Sequence, residues 1–204
     1  MFDIKNIDLK KEIRELKKLT GEERGEHFKY LVTYVREKEG EEELVKLISE
    51  LKKNGYELPD SNKINNMDWI LSSIPTIFMV ASVKFFNWQE EDIVEMGRKA
   101  SAFQTTIKLF IRYFLSTRQT FKKAANDFRK HYSFGTVEIA KYDSKKKMIV
   151  IRLKDFKKHP VTCLYLRGIF SGIIKISTGS EFIESQETKC IHRGDHCHEF
   201  IFNW

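Results

Sequence analysis

Cysteine, proline and tryptophan are scarce in this chain, with three of each in 204 residues. An odd number of cysteines cannot pair completely within one chain, so a disulfide framework is not expected and the thiols are read as reduced. No charged-then-apolar segment opens the sequence, so a secretory signal is not expected. The longest uncharged run, 69–83, is too short to cross a bilayer and contains Pro75. There is no Gly-x-Gly-x-x-Gly fingerprint and no P-loop, so nucleotide chemistry has no seat. Together these absences lead us to expect a cytoplasmic chain without a membrane span.

What is present is a folded core. The hydrophobic fraction is 41% and includes 16 Phe, ample for one domain or for one domain with a helical extension. The formal net charge of +7 is unevenly spread. Residues 1–60 hold 13 Lys/Arg against 15 Asp/Glu, whereas residues 98–158 hold 17 against 4. The basic stretch carries no recognition motif, so we read it as a solvated face that binds nucleic acid weakly, salt-sensitively and without sequence preference.

Leu9, Ile13 and Leu16 recur at helical spacing and predict a first amphipathic helix. Thr20 and Glu23 fit a capping box opening a second helix with Phe28, Leu31, Val32 and Val35 on one face. A third places Leu44, Leu47, Ile48 and Leu51 together and stops at Gly55. Pro59 and the polar run 60–66 suggest a boundary, giving a helical extension over 1–58 and a main domain over 60–204. Beyond it, 67–83 reads as a buried helix kinked or split by Pro75, and 90–97 as a short helix with acids in its first turn. An aromatic stripe from Phe103 to Phe128 predicts a long helical region.

After Gly135 the period changes to two, and Val137, Ile139, Ile149, Ile151 and Leu153 predict a hairpin with a basic loop. Pro160 suits a first helical position, and Gly179 would stop the helix it opens. Two further strands, 182–189 and 197–204, flank a turn at Gly194. The fold class is therefore α+β: N-terminal helices, then β-β-α-β-β, with an antiparallel sheet covered by helices.

All three cysteines lie in the last 45 residues. Glu187-x-x-Cys190-x-His192-x-Gly194-Asp195-x-Cys197-x-x-Phe200, together with Cys163 before Gly168-x-x-Ser171-Gly172, resembles the signature of the 4-vinyl-reductase domain family. That family is similar in fold to heme-nitric-oxide-sensor domains and to subunits of the TRAPP transport complexes. The resemblance implies a structural zinc, held in the phenol-sensing branch by three cysteines and a glutamate. The matching positions are Cys163, Glu187, Cys190 and Cys197. Thiolates are donors that zinc binds tightly in tetrahedral sets, which agrees. Strand alternation puts His198 opposite Cys197 and so turned away, while His192 and His196 remain alternatives to Glu187.

The resemblance further implies a non-enzymatic pocket for a small apolar or aromatic molecule, with Phe110, Tyr113, Phe114, Tyr142, Phe170 and Ile174 as candidate lining residues. Gly168 and Gly172 would bring their helix close to the sheet or leave room for that ligand. A sensor of this kind would form a homodimer and answer to a separate signalling partner. The competing readings are a scaffold or dimerisation module, an accessory protein of tetrapyrrole metabolism, and a heme-based gas sensor with His131 as iron ligand. Against heme, the segment Tyr132-Ser-Phe-Gly-Thr lacks the arginine of the sensors' Tyr-x-Ser-x-Arg motif.

Overall fold

The computed structural model describes residues 4–103 and 128–204. They form two compact units, Met1–Ile93 and Val94–Trp204. Among the described residues the protein is α+β, with helices preceding an antiparallel sheet, as the sequence predicts.

In the first unit, Asp8 opens α1 (Leu9–Leu16) by accepting a hydrogen bond from the Lys11 amide at 3.1 Å. Its buried stripe is Leu9, Ile13 and Leu16. Helices α2 (Gly25–Glu39) and α3 (Glu41–Lys53) follow. The expected capping box does not form. Glu22–Arg24 is instead strand β1, antiparallel to β2 (Trp69–Leu71). Glu23 is buried, where its carboxylate accepts from Ser72 Oγ at 2.8 Å and faces His27 Nδ1 at 2.9 Å. A carboxylate removed from water requires such partners, and they decide its place over an exposed cap.

The helix expected over 67–83, kinked or split at Pro75, is shorter: its first residues form β2 instead. Helix α4 runs Ser73–Phe85, and Pro75 lies in its first turn, where a backbone N–H has no intrahelical acceptor to lose. The helix is buried nearly all round, with Phe78 edge-on to Phe28 at 5.7 Å.

Helix α5 (Glu90–Phe103) leads into the second unit. Strands β3 (Thr136–Asp143), β4 (Met148–Lys154), β5 (Glu184–Lys189) and β6 (His198–Asn203) form one antiparallel sheet in the order β3-β4-β6-β5. Helix α6 (Pro160–Thr178) connects β4 to β5, which gives the β-β-α-β-β pattern. One sheet face is apolar: Leu153 pairs with Val137, Ile151 with Phe200, and Ile149 with Phe202. Against it α6 lays Phe170, 5.7 Å from the Phe200 ring and 6.3 Å from that of Phe202. The other face is polar, and there Arg152 Nε donates to Glu199 at 2.6 Å. By length and composition α6 alone among the described helices could cross a membrane, but two-thirds of it is buried within the fold.

The glycines of α6 have a different neighbour from the one expected. A Cβ on Gly168 would strike the Val94 carbonyl and Arg98 amide of α5, and one on Gly172 would strike Ser101 Oγ and the Arg98 carbonyl. They make room for α5, not for the sheet or a ligand.

His159 caps α6, its Nδ1 accepting from the Val161 amide at 3.2 Å. Burial, with a smaller contribution from His192, pulls its pKa from the ordinary 6.5 down to about 4. The unfolded chain therefore takes up this proton first. The contribution to stability is fully present above pH 6.5 and is lost as the pH falls toward 4. We expect a loss of order 2–3 kcal/mol across that window. The variant His159→Ser, which keeps a capping oxygen and removes the titration, should flatten this part of the pH–stability curve in denaturant titrations.

Candidate metal centre

Four donor side chains converge where the start of α6 meets the ends of β5 and β6. Cys163 Sγ, Glu187 carboxylate, Cys190 Sγ and a His198 ring nitrogen all lie within 4.8 Å of one another. Both cysteines and His198 are buried, and Glu187 is largely so.

Each donor has a local reason for its position. Pro160 starts α6, so Cys163 falls in its first turn, near the positive end of the helix dipole. In β6, His198 shares its parity with Phe200 and Phe202, all of them buried on the face toward α6. Glu187 pairs with Phe200 and therefore faces the same way. A regular strand would then send Cys190, three residues on, to the opposite face. The register shift between Glu187 and Lys189 inserts one residue and restores Cys190 to the inner side. The turn beyond is held by Asp195, whose carboxylate accepts from the Cys190 amide at 2.8 Å. Gly194 at φ 95° supplies the left-handed residue that ends the turn.

Cys197 buries its side chain but is not among the four donors, and His198 takes the place the sequence reading gave it. The alternation was read with the wrong parity. Cys197 shares its parity with Glu199, on the face of Arg152. His192 lies beside the group, its ring 5.7 Å from that of His198, without joining it.

The hydrogen bonding of His198 is specific about what it can bind. Nε2 lies 3.0 Å from the Phe156 carbonyl, which can only accept, so Nε2 carries a proton. Nδ1 lies 3.0 Å from Glu187 Oε1 and 3.6 Å from Cys163 Sγ. In the neutral imidazole Nδ1 is an acceptor facing a carboxylate acceptor, and that arrangement needs a proton or a metal cation between them. A ring nitrogen fixed by a carbonyl behind it is the usual way a histidine ligand is oriented.

The spacings suit a tetrahedral ion. With Zn–S near 2.3 Å and Zn–N near 2.0–2.1 Å, tetrahedral angles put two sulfurs about 3.8 Å apart and sulfur and nitrogen about 3.6 Å apart. The observed separations are 3.7 Å for Cys163–Cys190 and 3.6 Å for Cys163–His198. Burial raises the pKa of both thiols, and the nearby Glu187 carboxylate raises them further. An incoming cation must therefore displace their protons, so affinity should fall at low pH. Exchanging a thiolate for neutral His198 also lowers the ligand charge by one, easing the excess over a divalent ion.

The expected ligand pocket divides. Phe110, Tyr113 and Phe114 lie outside the described residues. Phe170 packs into the core against Phe200 and Phe202. Tyr142 and Ile174 do come together, in a groove of about 300 Å³ with Trp204, Ile149 and Lys147, which sequence reasoning missed. Trp204 could have been found, since it continues the inward parity of Phe200 and Phe202.

No protein-family model and no curated protein matches the chain. Solved structures do. An H-NOX protein from S. oneidensis in the Fe(II)NO ligation state aligns with a TM-score of 0.61 at 15% identity, covering 88% of this chain and 98% of that one. The Fe(II) unliganded H-NOX protein from K. algicida gives a TM-score of 0.61 at 13% identity, covering 88% and 95%. The fold is thus that of the H-NOX domains, the relationship expected from the C-terminal residues. At such identity the likeness establishes the fold alone.

Two features of the sequence bear on heme, which those structures bring into question. Residues 104–127 contain no histidine or cysteine, and no arginine lies between Tyr132 and Thr136 for a propionate.

Proposed function

We propose that this protein is a non-enzymatic small-ligand-binding sensor or regulatory domain of the 4-vinyl-reductase type, shaped by a structural zinc on Cys163, Glu187, Cys190 and His198. The observation that carries it is the pair of separations from Cys163 Sγ to Cys190 Sγ and to His198 Nδ1, close to two edges of a zinc tetrahedron, with His198 already oriented from behind by Phe156. Four protein donors leave no open position for a reacting water, so the metal holds structure and does no chemistry. It ties the first turn of α6 to β5 and β6, and a rigid frame of this kind lowers the ordering cost when a ligand binds.

Support for the sensor class comes from two directions. The Glu187–Phe200 signature resembles ligand-sensing members of that family, and the fold is the one on which the H-NOX structures carry their iron-bound ligands. The ligand expected here is small and aromatic or apolar, and a separate partner would read its binding.

Native mass spectrometry of protein purified without chelators tests the reading. The expected result is one zinc per chain, released on acidification as the thiols take up protons. Protein that is metal-free as isolated, and whose melting is indifferent to added zinc, would overturn it.

A further inference from the structure

We infer that the groove at the β3–β4 turn binds a planar aromatic acid, an inference that rests on the small-ligand reading above and gives it a site and a ligand class. The groove has a volume of about 300 Å³, the lower end of the roughly 300–1,000 Å³ of small-molecule sites. One wall is aromatic: the Tyr142 and Trp204 rings lie nearly parallel, with centroids 6.1 Å apart and planes at 22°. The Trp204 amide donates to the Lys147 carbonyl at 3.0 Å, which seats the indole beside the turn. Ile149 and Ile174, both buried in the core, close the floor. A flat ring matches that wall better than a branched or puckered group, because stacking needs two planes.

The polar groups then select the charge. Lys147 lines the groove, and no ion pair of its ammonium is found among the described residues. Lys145 and Lys146 precede it in the same turn. The turn's own acid, Asp143, spends Oδ1 on the Lys145 and Lys146 amides at 3.1 and 3.0 Å. On the helix side the hydroxyls of Ser177 and Thr178 already donate to the carbonyls of Ile173 and Ile174 at 2.7 and 2.8 Å. The one cationic donor in the wall is thus Lys147. A neutral ring would cover it without compensation and a cation would be repelled, whereas a carboxylate pairs with it.

The test titrates the full chain with 2-naphthoate, followed by calorimetry and by quenching of Trp204 fluorescence. The neutral 2-naphthylmethanol and the non-planar cyclohexanecarboxylate serve as matched probes. We expect 2-naphthoate to bind at least about tenfold more tightly than either, and Lys147→Gln to weaken it about five- to tenfold while leaving the alcohol unchanged. Trp204→Ala should abolish the preference for the planar acid. Because that change could disturb the end of β6, the half-exposed Tyr142→Ala repeats the test from the edge strand. Equal affinity for acid and alcohol, or binding untouched by all three substitutions, would overturn the inference. So would the absence of naphthoate binding at millimolar concentration. Zinc content measured on the same samples separates the two readings: a zinc-loaded chain that ignores naphthoate sinks the groove alone, and a metal-free chain that binds it sinks the zinc alone.

Discussion

Cys190→Ser and His198→Ala should each release the metal and lower the melting temperature by roughly 10–20 °C, whereas Cys197→Ser should keep the metal and move it by only a few degrees. The size follows from the role of a structural zinc, whose apparent binding energy of about 10–16 kcal/mol in small domains is largely folding energy. Losing one of four donors forfeits a large part of it. A loss of about 5 kcal/mol corresponds to ~10–20 °C for a chain of this length. His198→Ala carries an additional cost, because the Phe156 carbonyl loses its buried donor. Cys197 is a small buried residue outside the donor group, so its replacement costs about 1 kcal/mol. Metal content and thermal melting on the three variants decide the matter. If Cys197→Ser lost the zinc and His198→Ala kept it, the donor set drawn from the strand register would be wrong.

That contrast also shows which parts of the site could be read in advance. Cys163 and Cys190 stand out in any chain with so few thiols, and Glu187 followed from the family signature. The error at His198 was one of parity. Phe200 and Phe202 are the large apolar residues of the last strand, and counting back from them by twos reaches His198, not Cys197. The bulge at Thr188 is different. Nothing in Glu-Thr-Lys-Cys announces an extra residue, because a bulge belongs to the pairing of two strands and not to one segment.

The fold follows the same division. The change of period after Gly135, Pro160 at the head of α6 and Gly179 at its end are local signals, and the elements they predict are present. The pair β1–β2 was invisible because each strand is three residues long and separated from the other by more than forty positions. Glu23 was misread for the same reason: its partner Ser72 lies on the far strand, and burial outweighed a cap that sequence spacing suggested.

The glycine crossing of α5 and α6 gives the sharpest test of packing, and Gly168→Ala should cost about 3 kcal/mol or more. A Cβ there would meet the Val94 carbonyl well inside 3.0 Å, with the Arg98 amide at 2.9 Å and the Gly97 Cα at 2.9 Å. All three are main-chain atoms that cannot turn aside, so the helices must separate and surrender contacts along their length. The intrinsic gain of alanine over glycine in a helix, about 1 kcal/mol, is too small to offset this. Gly172→Ala should cost less. Its nearest obstacle is the Ser101 hydroxyl, a side chain that can rotate, although the Arg98 carbonyl at 2.7 Å still forces some shift. The pair Gly172→Ala and Ser101→Ala should therefore be less damaging than the sum of the single changes, while Ser101→Ala should do nothing for Gly168→Ala. Denaturant titrations of these variants measure the coupling directly. A Gly168→Ala protein as stable as the parent would mean that α5 and α6 do not approach as closely as the structure has them. Because Gly172 makes room for α5 and not for a ligand, Gly172→Ala should leave naphthoate affinity unchanged in whatever fraction of the protein remains folded.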